Sequence, residues 1–87
     1  MKLLFCYECG DIKKLKLDDT ACWCKKTTGK YIDDFNVVYK GPGCILGIPN
    51  SIFVEAIQKH KYNFIQGNFR FDGYVLHDSH NITKLKE

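Results

Sequence analysis

The stretch CYECGDIKKLKLDDTACWC, residues 6–24, holds four of the chain's five cysteines at its two ends. Its spacing is Cys6-x2-Cys9-x12-Cys22-x-Cys24. Two short knuckles separated by a hairpin-length insert are how a zinc ribbon brings four thiolates to one ion. Gly10 follows Cys9 and accepts the left-handed backbone that a tight knuckle needs. In the insert, Ile12-Lys13-Lys14-Leu15-Lys16-Leu17 has strand character, and Asp18-Asp19-Thr20 is a turn signal. The expected path runs out from one knuckle and back to the other. The second knuckle, Cys-x-Cys, is shorter than the usual form.

Disulfides compete with the metal reading, as does a redox pair or an iron–sulfur cluster. A thioredoxin-like pair needs a strand-helix unit directly after it, and Asp11-Ile12-Lys13-Lys14 is too charged for that. The apolar run Leu3-Leu4-Phe5 is too short for a secretory signal. No segment approaches the roughly 20 apolar residues of a membrane span. The expectation is a cytoplasmic chain away from membranes, in a reducing compartment where paired cysteines are more often ligands than disulfides.

Four cysteines close a zinc site, whereas catalytic zinc keeps one position open for water. One structural Zn²⁺ per chain is therefore expected, with a folding contribution on the order of 10 kcal/mol. Such a staple matters here. The 87 residues make a single domain, and a chain of that size buries only about 60% of its unfolded surface. Residues 1–30 are expected as the ribbon and 31–87 as a sheet plus helix.

Charge is uneven. Residues 1–30 carry seven lysines against four acids, and 31–87 carry six bases against six acids. Four thiolates and one Zn²⁺ bring the formal +3 to about +1. Lys13, Lys14, Lys25 and Lys26 then serve first to offset the thiolates. A nucleic-acid groove needs a more clustered basic surface, so nucleic acid is a weakly supported partner. Trp23, inside the second knuckle, is read as a shield over the sulfurs or as an exposed partner anchor.

Beyond the ribbon, Tyr31-Ile32 and Asn36-Val37-Val38-Tyr39 read as strands around an Asp33-Asp34 turn. Cys44-Ile45-Leu46-Gly47-Ile48 has the length of a buried strand, with Cys44 a small core residue. PNSIFVEAIQKHKYN, residues 49–63, is the one amphipathic helix. Asn50 or Ser51 caps it, Ile52, Phe53, Ala56 and Ile57 form its stripe, and the helix is expected to pack across the sheet. Phe69-Arg70-Phe71 and Tyr74-Val75-Leu76 flank Asp72-Gly73 as a hairpin. Asn81 to Glu87 is a last short strand or frayed.

Two further features can carry function. Lys40, Gly41 and Gly43, with Asn50 and Ser51 at the helix start, suit a nucleotide or other phosphate ligand, because free amides at a helix N-terminus attract anions. The alternative is turn glycines around a buried strand. His77-Asp78-Ser79-His80 offers a second metal site, an acid–base pair or a solvated loop. Nothing meets the requirements of a catalytic triad, so no catalytic residue and no enzyme is expected.

MKLLFCYECGD with a second cysteine knuckle, then GKYIDDFNVVYKG and GIPNSIFVEAI, resembles a group of small bacterial and phage zinc-ribbon proteins of uncharacterised role. The resemblance spans roughly residues 1–57. A phage setting implies interference with a host system, as an inhibitor or adaptor. The expected fold is α+β: an N-terminal zinc ribbon continuing into a small antiparallel sheet with one amphipathic helix. The expected function is a non-enzymatic module binding a protein partner. Phosphate-ligand binding and nucleic-acid binding are the alternatives, and a homodimer is a further expectation.

Overall fold

The computed structural model describes residues 1–62, 68–79 and 81–85. Each cysteine knuckle is the turn of a β-hairpin. The first joins β1 (Lys2–Cys6) to β2 (Ile12–Lys14), and the second joins β3 (Thr20–Ala21) to β4 (Thr28–Tyr31). The insert therefore does not fold back on itself. Its first half pairs with β1 and its second half with β4. The hydrophobic pattern explains the split: buried Leu15 turns the chain from one hairpin into the space between the two.

Each hairpin recruits a longer strand. β5 (Val37–Lys40) pairs with β4, and β6 (Gly43–Gly47) pairs with β1. The expected Asp33-Asp34 turn lies between β4 and β5. Asp33 Oδ1 accepts from the amides of Phe35 (2.8 Å) and Asn36 (2.7 Å), an arrangement that short acidic side chains favour in turns. β7 (Tyr74–Leu76) and β8 (Ile82–Lys84) complete two four-stranded sheets. Their orders are β2-β1-β6-β7 and β3-β4-β5-β8. Every pair is antiparallel except β5 with β8, which is parallel, so the second sheet is mixed. The pairings β1–β6 and β4–β5 both cross residue 30.

Alternation sorts side chains to two faces. Leu4, Leu15, Val37, Tyr39, Ile45 and Ile82 form the core between the sheets, with Tyr31 and Leu76 against it. Outside the β3-β4-β5-β8 sheet, the register places Thr28, Lys30, Val38, Lys40 and Thr83. Outside the other sheet it places Leu3, Phe5, Ile12, Lys14, Cys44, Leu46 and Val75. One outer face is mostly polar; the other is apolar except for Lys14 at its β2 edge. Cys44 accordingly sits half-buried on the outer face opposite Phe5 and not in the core.

The helix α1 (Asn50–Tyr62) departs from expectation. Only its Ala56 is buried, and Ile52, Val54 and Ile57 are exposed. Its stripe packs instead on residues just beyond it: Phe53 meets Phe71 edge-on at 5.0 Å, and His60 meets Phe69 at 6.5 Å. Residues 68–73 are irregular, so the expected Phe69–Phe71 strand does not form, and β7 pairs with β6. Helix and irregular segment make an arm at the end of β6 remote from the knuckles. The molecule measures 49 × 26 × 21 Å, and its radius of gyration is 14.8 Å against about 12 Å for a compact chain of this length.

Candidate metal centre

The two hairpins bring four sulfurs together from both sheets. The Sγ atoms of Cys6, Cys9, Cys22 and Cys24 all lie within 4.8 Å of one another. Cys6 and Cys24 stand 3.7 Å apart, and Cys22 and Cys24 stand 3.4 Å apart. Bonded sulfurs would be about 2.05 Å apart. Thiolates around one tetrahedral ion at about 2.3 Å bond length stand about 3.8 Å apart. All five cysteines are free thiols in the structure. The four can hold a metal ion, and no disulfide competes for them.

The knuckles are built alike. In the first, Gly10 N–H donates to the Cys6 carbonyl at 2.9 Å; in the second, Lys25 N–H donates to the Cys22 carbonyl at 3.0 Å. Left-handed backbone follows each second cysteine, at Gly10 (φ 73°) and at Lys25 (φ 65°). The positive φ at Lys25 is uncommon for a residue with a Cβ. The shorter second knuckle is thus completed by a lysine in a glycine-like conformation.

Two residues lock the knuckles together, and the sequence offered no signal for either. Asp11 Oδ2 accepts from the Trp23 amide at 2.8 Å, which ties the first knuckle to the second. Thr27 is fully buried. Its amide donates to Cys22 Sγ at 3.4 Å and its hydroxyl to the Pro42 carbonyl at 3.2 Å. A buried threonine between a sulfur and a carbonyl becomes legible only once the β5–β6 turn is known to lie behind the knuckles.

Electrostatics follow from crowded sulfurs with backbone donors. Hydrogen bonding from Thr27, with help from the Cys9 and Glu8 amides against the cost of burial, brings the Cys6 thiol down to about 6. Burial and the Cys6 sulfur raise the Cys22 thiol, but the Thr27 amide with the Cys24 and Cys9 sulfurs outweighs them and leaves it lowered. The Lys26 amide favours the Cys24 thiolate, yet burial and the neighbouring sulfurs push that thiol up to about 12. The raised Cys24 thiol reflects how close-set sulfurs oppose a further negative charge. A bound cation is what makes four thiolates compatible.

The other sequence-selected residues divide into separate places. Trp23 is 81% exposed, so it does not shield the sulfurs. Lys40 is exposed beside a hollow of about 580 Å³ lined by Glu8, Lys26, Lys40 and Pro42, next to the knuckles. Gly41 and Gly43 serve close packing behind it. A Cβ on Gly41 (φ 101°) would meet the Lys26 carbonyl oxygen at 2.1 Å, and one on Gly43 would meet the Phe5 carbonyl oxygen at 2.2 Å. Asn50 and Ser51 begin α1 at the other end of β6. There the Met1 amino group donates to Asn50 Oδ1 at 2.6 Å. The glycine turn and the helix start are therefore not one site.

His77 is exposed, and His80 lies outside the described residues. Their neighbour Asp78 has a defined role: it accepts from the Tyr39 hydroxyl at 2.6 Å. Burial, then this carboxylate, raises the Tyr39 phenol well above its ordinary value and keeps it a donor. The lysines near the knuckles are partly engaged, Lys13 with Asp11 and Lys30 with Asp19, each at 3.7 Å. No helix is long and apolar enough to cross a membrane among the described residues. Compared with family models, curated proteins and solved structures, the chain finds no match.

Proposed function

We propose that this chain is a zinc-ribbon interaction module, non-enzymatic, whose one Zn²⁺ is held by Cys6, Cys9, Cys22 and Cys24 and serves folding. The four-sulfur cluster carries this reading. It offers no ligand place for a reacting water, and its backbone donors steady sulfurs that already stand at ligand spacing. Binding of a protein partner is supported by the apolar outer face on one sheet and by exposed Tyr7 and Trp23 at the knuckles.

A second reading rests on the hollow beside the knuckles, where Lys26 and Lys40 are placed to meet a phosphate. Glu8 in the same wall opposes an anion, so we rank it below the first.

Native mass spectrometry of the purified chain separates the two. The proposal expects one zinc per chain and no retained organic mass. A copurified phosphate-bearing molecule lost on Lys40→Ala would replace it with the second reading. Cysteines oxidised in pairs would sink both.

A further inference from the structure

Three observations concern surface that this chain leaves uncovered. A monomer of 10.1 kDa exposes about 5,300 Å², whereas this one exposes 6568 Å². The excess, roughly 1,300 Å², is larger than the about 800 Å² per partner that a standard stable interface covers. Among the described residues, apolar surface gathers in two places, besides single exposed side chains such as Leu17, Trp23, Ile32 and Phe35. One is the outer face of the β2-β1-β6-β7 sheet, with Leu3 and Leu46 half-buried and Val75 70% exposed. The other is the arm, where Ile52 and Ile57 flank the stripe that Phe53 and Ala56 begin to bury.

The sheet face carries a cleft beside the irregular segment of the arm. A hollow of about 250 Å³, lined by Leu3, Leu46, Ile48, Gly73, Tyr74 and Val75, opens where the arm leaves the sheet. It is almost wholly apolar, and it is wide enough for an aliphatic side chain. Among the described residues, a sheet face without a layer over it and a helix with most of its stripe exposed are complementary requirements. Each copy of the chain carries both. Two copies related by a two-fold axis satisfy each requirement twice. With zinc bound, the formal charge of about +1 sets no barrier to bringing copies together.

We infer that the partner of the apolar face is a second copy of this chain: the α1 arm of one protomer covers the outer face of the β2-β1-β6-β7 sheet of the other, and Ile52 and Ile57 enter the cleft beside Val75. This rests on the interaction-module reading and gives its partner.

The test uses the full zinc-loaded chain, with molar mass by light scattering and metal content on the same fractions. A dimer of about twice 10.1 kDa at micromolar concentration is expected. Val75→Asp and Ile57→Asp lie at exposed positions, so both variants should fold and bind zinc, and each should weaken the dimer at least 100-fold. Mixing the two variants restores one unaltered arm-on-face contact, because one chain keeps Ile57 and the other keeps Val75. Partial recovery of dimer in the mixture is expected. A zinc-loaded wild-type monomer at 100 µM overturns the inference and leaves the module reading standing, as does a monomer that takes up a foreign protein on Val75. A mixture that stays monomeric points to face-on-face pairing and overturns the arm contact. A dimer without zinc leaves this inference intact and sinks the ribbon reading.

Discussion

Cys6 and Leu4, in the strand that leads to the first knuckle, keep 0% and 1% of their surface in water. In α1, thirteen residues long, only Ala56 is buried. The strands and the helix both carry apolar side chains, yet they achieve burial differently. The knuckle end closes two hairpins on each other through four sulfurs, Asp11 and Thr27, so local strands with few core residues become mutually buried. The helix end has no such tie. Among the described residues its stripe meets two phenylalanines from the segment after it, Phe71 and Phe69. A small domain can be stapled at one end and still lack a second layer at the other.

Metal removal breaks this contrast most severely. Chelation should remove a contribution on the order of 10 kcal/mol and abolish the cooperative thermal transition, because Cys6 and Cys22 lie inside both sheets' packing. Persistence of the transition in excess chelator would show that the sandwich stands without its staple. Next in size is Ile45→Ala, at a side chain 1% exposed between the sheets; chemical denaturation should record a loss of about 2–5 kcal/mol.

A smaller effect is expected at the β4–β5 turn. Hydrogen bonds from the Asn36 side chain, then from the Phe35 and Asn36 amides, hold the Asp33 carboxyl below its ordinary 3.8. A depressed folded value stabilises above the unfolded value and is lost as pH falls through the folded one. Asp33→Ala should therefore lower Tm modestly at neutral pH, and the gap to the wild type should close below about pH 3.8 as the carboxyl is protonated. A gap that persists in acid would assign the effect to the turn geometry alone. The smallest effect belongs to the arm. Val54→Ala, on the exposed side of α1, should change stability by no more than about 0.5 kcal/mol. A loss as large as that at Ile45 would erase the difference between the two ends.

What the sequence made legible follows the same division. The clustering of the four cysteines, the Asp33-Asp34 turn, β5, β6 and the helix were readable because each rests on local chemistry: spacing, a turn residue, a period. The Trp23 position was not, since a residue between two cysteines points where the knuckle turns it, here into solvent. The helix's place was not either. An amphipathic stripe states that a helix needs a partner surface and is silent on which one. The roles of Asp11 and Thr27, and the bond of Asp78 to Tyr39, escaped notice because they act across sequence separations of 12, 15 and 39 residues. The insert misled by looking like one hairpin when its halves belong to two sheets.

The central claim is a closed four-sulfur zinc site that holds two hairpins together. X-ray absorption at the zinc edge on the purified chain tests it most directly. One zinc per chain with four sulfur neighbours at about 2.3 Å is expected. Three sulfurs with a light-atom neighbour such as water would contradict it, because an open position turns the staple into a centre able to do chemistry.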